Sequence, residues 1–223
     1  MAGDASIVLF SGGLDSAVLV AHEAQTRRVH PIYISGGLAW ERGELDAAHA
    51  LCASAAFARV EPVVRLEFSL RDVYPASHWA VRGAPPAYDT PDEDVYLYGR
   101  NVALLSKTAV YAAAKHISRI AVGSLAGNPF PDATPEFLAA MGRALSLGLA
   151  CEIEIAAPFT RLHKADVVKL GTHLQVPLEL TLSCMNPAGT LHCGECSKCR
   201  ERHDAFLEAG MPDPTPYASP PPR

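Results

Sequence analysis

The sequence predicts an α/β fold, a Rossmann-like parallel sheet with helices on both faces, followed by a small C-terminal four-cysteine region. Three observations predict this class. Short β-type runs alternate with helical patterns along most of the chain, hydrophobic residues make up 49% of the 223 residues, and four cysteines lie between Cys184 and Cys199. Alternating strands and helices form right-handed βαβ units, which assemble a parallel sheet covered on both sides.

The first third of the chain supplies three predicted strands and two predicted helices. The run from Ser6 to Phe10 is β-branched and aromatic, as is typical of a buried strand. A helix is predicted from Leu14 to about Thr26, and a second strand from Val29 to Ile34. The residues from Glu41 to Ala58 place apolar side chains on one helical face, and Val60 to Leu66 alternates enough to be a third strand.

The segment from Ser69 to Tyr98 interrupts this alternation. It contains four prolines and an acidic cluster from Asp89 to Asp94, and it shows little periodicity. A connection of this length inside a domain is usually functional, so we interpret it as a functional loop or a lid. The later predicted elements are a helix from Arg100 to about His116, a strand from Ile120 to Ser124, a helix from Pro135 to about Gly148, a strand from Glu152 to Ala156, a helix from His163 to Leu174 and a last helix that ends near Gly210.

Charge and hydropathy exclude several classes of protein. The 19 basic and 24 acidic residues give a net charge of -5. We therefore expect no binding to bulk nucleic acid, although one small phosphorylated ligand is compatible with this charge. No apolar run approaches the roughly 18 residues of a membrane span, and Ile7 to Phe10 is too short for a secretory signal. The expected location is the cytoplasm, where cysteines stay reduced.

The hexapeptide Ser11-Gly12-Gly13-Leu14-Asp15-Ser16 lies between the first strand and the first helix. Unpaired backbone N–H groups at such a helix start bind anions, and two glycines let the backbone approach a phosphate without a Cβ. Asp15 would repel a bare phosphate, so we assign it to helix capping or to magnesium. The segment lacks the Walker A lysine and the Gly-x-Gly-x-x-Gly pattern. The alternative interpretation is an ordinary turn before a helix.

The cysteines Cys184, Cys193, Cys196 and Cys199 have the spacing C-x8-C-x2-C-x2-C. Four thiolates suit one tetrahedral zinc at about 2.3 Å, with no open position for catalysis. We therefore predict one structural zinc per chain. Disulfides, an iron–sulfur cluster, a catalytic thiol at Cys184 and substitution by His192 remain alternatives. The other two cysteines, at positions 52 and 151, are assigned to core packing.

The hexapeptide resembles the signature of the PP-loop ATP pyrophosphatase superfamily, whose members cleave ATP between the α and β phosphates. Together with the cysteine motif, it is similar to the 7-cyano-7-deazaguanine synthase (QueC-like) family, and the resemblance runs from roughly Ile7 to Pro214. Further matching segments are Gly99-Arg100-Asn101, Pro131 to Phe137, Ala157 to Phe159, Leu162 to Asp166, Leu182 to Cys184 and Cys193 to Cys199.

The resemblance implies an ATP-dependent carbon–nitrogen ligase. ATP would activate the carboxylate of 7-carboxy-7-deazaguanine, and ammonia would displace AMP to give an amide. A second ATP would activate the amide oxygen, and loss of AMP would leave the nitrile, a product used in queuosine biosynthesis. No glutaminase domain is visible in the sequence, so the ammonia would come from free ammonium or from a partner protein. We also expect a homodimer.

The resemblance also implies roles for individual residues. The phosphates and magnesium would be held by Ser11, Gly12, Gly13, Leu14, Asp15 and Ser16, and adenine would be flanked by Tyr33, Ile34 and Ser35. The catalytic residues would be Asp15, Arg100 and Lys164, and the substrate or magnesium would be faced by Asn101, Asp132 and Glu136. In the alternative interpretation Arg100 and Lys164 are surface cations, and Glu136 caps its helix. The implied domains are 1–180 for ATP, 181–212 for zinc and a flexible proline-rich tail at 213–223.

One segment departs from the family pattern. After the second strand the family typically carries Asp-Tyr-Gly-Gln-x-His, whereas this chain has Gly36-Gly37-Leu38-Ala39-Trp40-Glu41. A site that loses such polar groups should lose selectivity for a polar ring. A second hypothesis is therefore a related ligase that adenylates another carboxylate, on a small molecule or on a protein. A third is a non-catalytic nucleotide-binding or zinc-ribbon module, against which the intact hexapeptide argues.

Overall fold

Five parallel strands form one sheet in the structure, a computed structural model that describes residues 5–222. The strands are β1 (Ala5–Leu9), β2 (Arg28–Ser35), β3 (Val64–Glu67), β4 (Arg119–Ala121) and β5 (Glu154–Ala156). Their order across the sheet is β3-β2-β1-β4-β5. The predicted α/β class with an all-parallel sheet is confirmed.

Seven α-helices connect and follow the strands in the part of the chain that the structure describes. They are α1 (Leu14–Glu23), α2 (Glu41–Cys52), α3 (Trp79–Arg82), α4 (Arg100–Ala114), α5 (Pro135–Leu149), α6 (Lys164–His173) and α7 (Ser197–Ala209). Short 3-10 turns cover Ala55–Phe57, Asp92–Val95, Pro131–Ala133 and Leu178–Leu180. Within residues 5–222 no helix is both long and apolar enough to cross a bilayer.

Two element boundaries differ from the prediction by more than three residues. The second helix ends at Cys52 instead of Ala58, because Ala55–Phe57 forms a separate turn that buries the Phe57 ring against Phe10 at 6.3 Å between centroids. The third strand begins at Val64 instead of Val60. The long connection after β3 also contains a short helix, α3, which its prolines did not suggest.

The side chains of β1 alternate between the two faces of the sheet and join a hydrophobic core on each face. Ile7 packs on one face with Ile32 of β2 and Leu105 of α4, and all three are fully or almost fully buried. Val8 points to the opposite face, where it joins the cluster of α1, α6 and α7. A parallel strand covered on both faces needs a continuous apolar run, which explains the composition of this segment.

The sheet topology creates a crevice next to β1. The chain runs outward from β1 through β2 to β3 and then returns to β4 on the other side of β1, so the strand order reverses at β1. In open α/β sheets, ligands bind at such a switch point, outside the carboxyl ends of the strands. The hexapeptide from Ser11 to Ser16 leaves β1 at this point.

Arg202 of α7 ties the C-terminal region together. Its fully buried guanidinium donates to the Thr181 hydroxyl at 2.7 Å, to the Leu178 carbonyl at 2.8 Å and to the Thr215 hydroxyl. The Thr215 and Tyr217 hydroxyls in turn donate to Asp213. These contacts fasten α7 both to the segment that precedes the cysteines and to the chain that follows it.

The first part of the C-terminal tail is therefore packed, although its prolines predicted mobility. The backbone N–H of His192 donates to the Pro216 carbonyl at 2.9 Å, and the N–H of Ala218 donates to the His192 carbonyl at 2.7 Å. Proline lacks an N–H donor, but its carbonyl remains an acceptor, and the residues between the prolines supply the donors. Composition alone does not reveal these pairings.

Replacement of Arg202 by leucine is expected to lower the free energy of unfolding by about 3 kcal/mol, because several buried oxygens lose their donor. Arg200→Leu on the same helix is the matched control. Arg200 pairs with the partly exposed Asp92 at 3.4 Å, so its loss should cost no more than about 1 kcal/mol. Urea unfolding of both variants measures the difference. Equal losses in the free energy of unfolding would show that Arg202 does not hold the C-terminal region together.

Candidate active site and metal site

A cavity of about 540 Å³ opens at the carboxyl ends of β1, β2 and β4. Most of the residues that the sequence analysis singled out line it. They are Ser11, Gly13, Leu14, Asp15, Ser16, Tyr33, Ile34, Arg100, Asn101, Asp132 and Lys164. Gly12, Ser35 and Glu136 are not part of its wall. The cavity is therefore large enough for a small-molecule ligand and lies at the switch point of the sheet.

The predicted phosphate loop, residues 11–16 and called the phosphate loop below, is shaped by close packing behind it. Gly12 has a φ of +74°, and a Cβ at this position would lie 2.6 Å from the Glu44 carbonyl oxygen and 2.8 Å from the Ala48 nitrogen. Only glycine fits both constraints. Gly12 thus contributes through its backbone, and its carbonyl accepts from the Leu182 N–H at 2.9 Å.

Gly13 directly precedes α1, and among the described residues no side chain caps this helix; the Gly13 N–H itself donates to the Ser11 hydroxyl at 3.3 Å. The Ser16 hydroxyl donates to the Gly13 carbonyl at 3.0 Å, and the Ser11 and Ser16 hydroxyls lie 3.3 Å apart. Uncapped N–H groups at a helix start, flanked by two hydroxyls, provide donors for an anion.

Asp15 does not cap α1, which corrects the first of its two predicted assignments. Its Oδ2 accepts from Lys164 Nζ at 2.7 Å, across the start of α6. Its other oxygen, Oδ1, is buried and has no hydrogen-bond partner among residues 5–222. A buried carboxylate oxygen without a donor suits a hard cation.

Lys164 is held by two carboxylates at the cavity wall. Besides Asp15, its Nζ donates to Glu201 of α7 at 2.8 Å, and Glu201 accepts in turn from Lys198 at 2.6 Å. Burial opposes the charge on Lys164, but the adjacent carboxylates outweigh it and hold its pKa above the ordinary value. Burial likewise opposes charge on Glu201, yet the two lysines hold the pKa of Glu201 well below its usual range.

Sequence reasoning missed Glu201 and Lys198 because both lie inside or directly after the cysteine motif. The only available signal was their charge, at spacings that place them on one face of α7.

At the start of α4, Asn101 and Asp132 hold each other. The Asn101 backbone N–H donates to Asp132 Oδ2 at 3.0 Å, and the Asn101 amide donates to the Asp132 carbonyl at 3.1 Å. Burial raises the pKa of Asp132, and these donors oppose the rise. Arg100 opens the same helix and lines the cavity beside them.

Glu136 is exposed on α5 and lies outside the cavity wall. It does not cap α5 either, because the Thr134 hydroxyl accepts from the Phe137 N–H at 3.1 Å and fills that position. The structure therefore does not bring Glu136 together with the other substrate-facing candidates.

Glu44 of α2 lines the cavity and was not among the sequence candidates. Its Oε2 accepts from the Tyr33 hydroxyl at 3.0 Å, and its Oε1 accepts from the Trp40 indole at 3.2 Å. Burial raises the pKa of Glu44 to about 7, against the opposing charge of Arg100. Burial and the Glu44 charge also raise the pKa of Tyr33.

The divergent segment from Gly36 to Glu41 closes on itself. The N–H groups of Gly36 and Gly37 donate to Glu41 Oε1 at 2.6 and 2.8 Å, and the Ser35 hydroxyl donates to Glu41 Oε2 at 2.6 Å. Three donors thus hold the Glu41 carboxylate next to β2. Ser35 therefore contributes to this turn and does not line the cavity.

The long connection between β3 and α4 supplies aromatic side chains to the cavity. Trp79 of α3 stacks on Trp40, with ring centroids 5.7 Å apart and planes at 12°. Tyr96 stacks on Phe130, with centroids 5.2 Å apart. All four rings line the cavity. The segment interpreted as a functional loop therefore forms one wall of the site.

The four predicted metal ligands converge at the start of α7. Their Sγ atoms all lie within 4.8 Å of one another. Cys193 and Cys199 are 3.8 Å apart, Cys196 and Cys199 are 3.6 Å apart, and Cys184 and Cys196 are 4.0 Å apart. The thiols are free, so disulfides are excluded in this structure. The cluster is a site that could hold a metal ion.

Backbone donors surround the sulfurs. The N–H groups of Asn186 and Cys193 donate to Cys184 Sγ at 3.2 and 3.3 Å, and the N–H of Glu195 donates to Cys193 Sγ at 3.4 Å. Such donors stabilise thiolate charge. His192 is not part of the converging group, and its Nε2 accepts from the Ser183 N–H at 3.1 Å.

Two solved structures share the fold. They are a predicted subunit of tRNA methyltransferase from Methanocaldococcus jannaschii and the U34-tRNA thiolase NcsA from Methanococcus maripaludis with its 4Fe-4S cluster. Each has a TM-score of 0.50 and 14% sequence identity, and they cover 93% and 95% of this chain and 89% and 73% of their own. At this identity the likeness concerns the fold alone.

The sequence comparisons are more specific. A family model described as Queuosine biosynthesis protein QueC matches residues 5–210. The 7-cyano-7-deazaguanine synthase of Anaeromyxobacter dehalogenans is 34% identical, over 96% of this chain and 95% of that protein. The 7-cyano-7-deazaguanine synthase of Oceanobacillus iheyensis is 37% identical, over 97% and 100%. As the phosphate loop and the cysteine motif predicted, this chain belongs to the QueC family.

Proposed function

We propose that this protein is an ATP-dependent ligase that converts 7-carboxy-7-deazaguanine and ammonia to 7-cyano-7-deazaguanine, with release of AMP and pyrophosphate. The observation that carries the proposal is the uncapped phosphate loop at the switch point of the sheet, facing Lys164 and Arg100 across one cavity. The full-length relatives named 7-cyano-7-deazaguanine synthase supply the substrate.

The chain's own residues account for the cleavage of ATP. The N–H groups at the start of α1 and the hydroxyls of Ser11 and Ser16 would bind the departing pyrophosphate. Lys164 and Arg100 would neutralise the charge that develops when the bond between the α and β phosphates breaks. Because Lys164 is already fixed by two carboxylates, little reorganisation is needed when the nucleotide binds.

Magnesium fits the unpartnered oxygen of Asp15. Asp15 would hold the ion beside the phosphates, where its charge would stabilise the leaving pyrophosphate. The remaining wall would position the acceptor: Asn101 and Asp132 present a rigid polar pair at the start of α4. Activation of the carboxylate, and then of the amide, as an adenylate would make AMP the leaving group in both halves of the reaction.

Zinc fits the four cysteines. A tetrahedral ion with Zn–S bonds of about 2.3 Å requires sulfur–sulfur separations of about 3.8 Å. Three of the sulfur pairs are 3.6 to 4.0 Å apart, close to that value, and all of them lie within 4.8 Å. An iron–sulfur cluster places each thiolate on a different iron, which needs sulfurs farther apart. The zinc would be structural, because four thiolates leave no open position, and it would fix the start of α7.

A second candidate is adenylation of another carboxylate for amide formation. The observation that favours it is the closed segment between Gly36 and Glu41, in which backbone and hydroxyl donors serve Glu41 instead of a ligand. For either function we expect a cytoplasmic homodimer supplied with ammonia by free ammonium or by a partner.

The two functions are separated by mass spectrometry of the products. The protein is incubated with ATP, magnesium and ammonium, together with 7-carboxy-7-deazaguanine or with other candidate carboxylates. The first function predicts the nitrile, with AMP and pyrophosphate. Turnover of a different carboxylate without nitrile would favour the second function, and release of orthophosphate alone would contradict both.

Lys164→Met is expected to lower the rate of pyrophosphate release by about 100-fold or more, because a buried charge that stabilises the transition state is lost. Lys169→Met is the matched control, since Lys169 is exposed on the same helix. Single-turnover assays with saturating ATP measure the chemical step. If the two variants have similar rates, Lys164 has no role in phosphate chemistry.

Elemental analysis is expected to find one zinc ion per chain. Cys196→Ser should lose the zinc and lower the melting temperature, because metal binding is coupled to folding of this region. The controls are Cys52→Ser and Cys151→Ser, which lie outside the cluster and should keep the metal. Iron together with acid-labile sulfide in the purified protein would contradict the assignment of zinc.

A further inference from the structure

Glu44 is a cavity carboxylate to which the proposed reaction assigns no role. It lies in the first turn of α2, directly behind the phosphate loop, because its carbonyl packs against Gly12. Each of its carboxylate oxygens accepts one hydrogen bond, from Tyr33 or from Trp40. An ionised carboxylate has about four acceptor positions, so each oxygen has room for another donor.

The surroundings of Glu44 favour a planar ligand. The stacked rings of Trp40 and Trp79 and the stacked rings of Tyr96 and Phe130 form two aromatic parts of the cavity wall. Aromatic faces bind flat heterocycles by stacking, whatever their hydrogen-bonding pattern. The specificity of such a site must then come from the polar group that faces the edge of the ring.

Two other ligands match the Glu44 carboxylate less well. A metal cation prefers several oxygen ligands, but the groups that flank this carboxylate, the Tyr33 hydroxyl and the Trp40 indole, point hydrogens at it. An adenine edge presents one donor next to one acceptor. The hydrogens of Tyr33 and Trp40 point at both oxygens of Glu44 and favour the ionised form, in which one oxygen would face the lone pair of the adenine ring nitrogen.

A guanine-type edge matches both oxygens. Its ring N–H and its exocyclic amino group are adjacent donors, with a spacing that suits the two oxygens of one carboxylate. The same two-donor geometry makes arginine–carboxylate pairs specific. A site built for such donors rejects analogues that lack one of them, because its acceptor is left unpaired.

We propose that Glu44 determines specificity by accepting hydrogen bonds from the guanine-type edge of the substrate ring, which stacks on the aromatic wall. This inference rests on the proposed function, which supplies a 7-deazaguanine ring as the ligand. It also gives the site a polar group for the ring, although the segment from Gly36 to Glu41 has lost the polar residues typical of the family.

The test compares two ligands, 7-carboxy-7-deazaguanine and its analogue without the exocyclic amino group. Calorimetry measures the Kd of each in the presence of α,β-methylene ATP, and assays measure kcat/KM. The unmodified protein should prefer the amino-bearing ligand by at least about tenfold, the low end for a hydrogen bond to a charged group. Glu44→Gln should bring this ratio close to one, with the KM for ATP unchanged.

Glu41→Gln is the matched control. Glu41 is a carboxylate three residues earlier on the same helix, but it accepts from Ser35, Gly36 and Gly37 and lies outside the cavity wall. This variant should keep the ratio of the unmodified protein, even if its melting temperature falls. If Glu44→Gln does not fold, Glu44→Asp is tested in its place. It should also lower the ratio of the two affinities, because the shorter side chain holds its carboxylate farther from the ring.

The outcomes separate this inference from the proposed function. Preferential binding of the amino-bearing ring without nitrile formation would leave the recognition by Glu44 in place and reject the proposed reaction. A ratio that is unaffected by both Glu44 substitutions overturns the inference, and so does an unmodified protein that does not discriminate. A KM for ATP that rises while the ratio holds would also overturn it, since Glu44 would then serve the adenine ring.

Discussion

The rest of the site depends on the close packing of α2 against the turn that leaves β1. The turn must present its N–H groups to the cavity, so its other side has to be supported by backbone. Gly12 meets this requirement with a φ of +74° and leaves no room for a Cβ against the Glu44 carbonyl and the Ala48 nitrogen. The same contact brings the Glu44 side chain to the cavity wall beside the phosphate loop.

The metal region shares this packing. Leu182 donates its N–H to the Gly12 carbonyl two residues before the first cysteine, Cys184. Gly43 of α2 is equally constrained, because a Cβ there would lie 2.8 Å from Leu182 Cδ2 and 3.0 Å from Pro187. The cysteine cluster therefore lies behind the phosphate loop, and α7, which begins within it, carries Glu201 to Lys164. A metal that fixes the start of α7 would also fix the charge that faces the phosphates.

Features that depend on neighbouring residues were predicted from the sequence. The order of strands and helices, the turn between β1 and α1 and the convergence of the four cysteines were all predicted from local sequence patterns. The contacts missed are those between distant parts of the chain: Trp79 meets Trp40 through a long connection, and Glu201 meets Lys164 across two helices. Glu136 is the opposite case, a residue that was expected in the site but does not line the cavity. The motif that contains it does not determine which face of α5 the side chain occupies, and in the structure this side chain is exposed.

The divergent segment after β2 shows how a sequence that appears apolar can form a turn held by polar contacts. Glycines at 36 and 37 expose two N–H groups, and a carboxylate at Glu41 satisfies both, so the segment forms a closed turn. That turn directs Trp40 inward, where its indole N–H holds Glu44. A side chain restrained by two donors loses little conformational entropy when it binds a ligand. The apolar appearance of the segment in the sequence thus conceals a rigid acceptor one helical turn further on, already oriented toward the cavity.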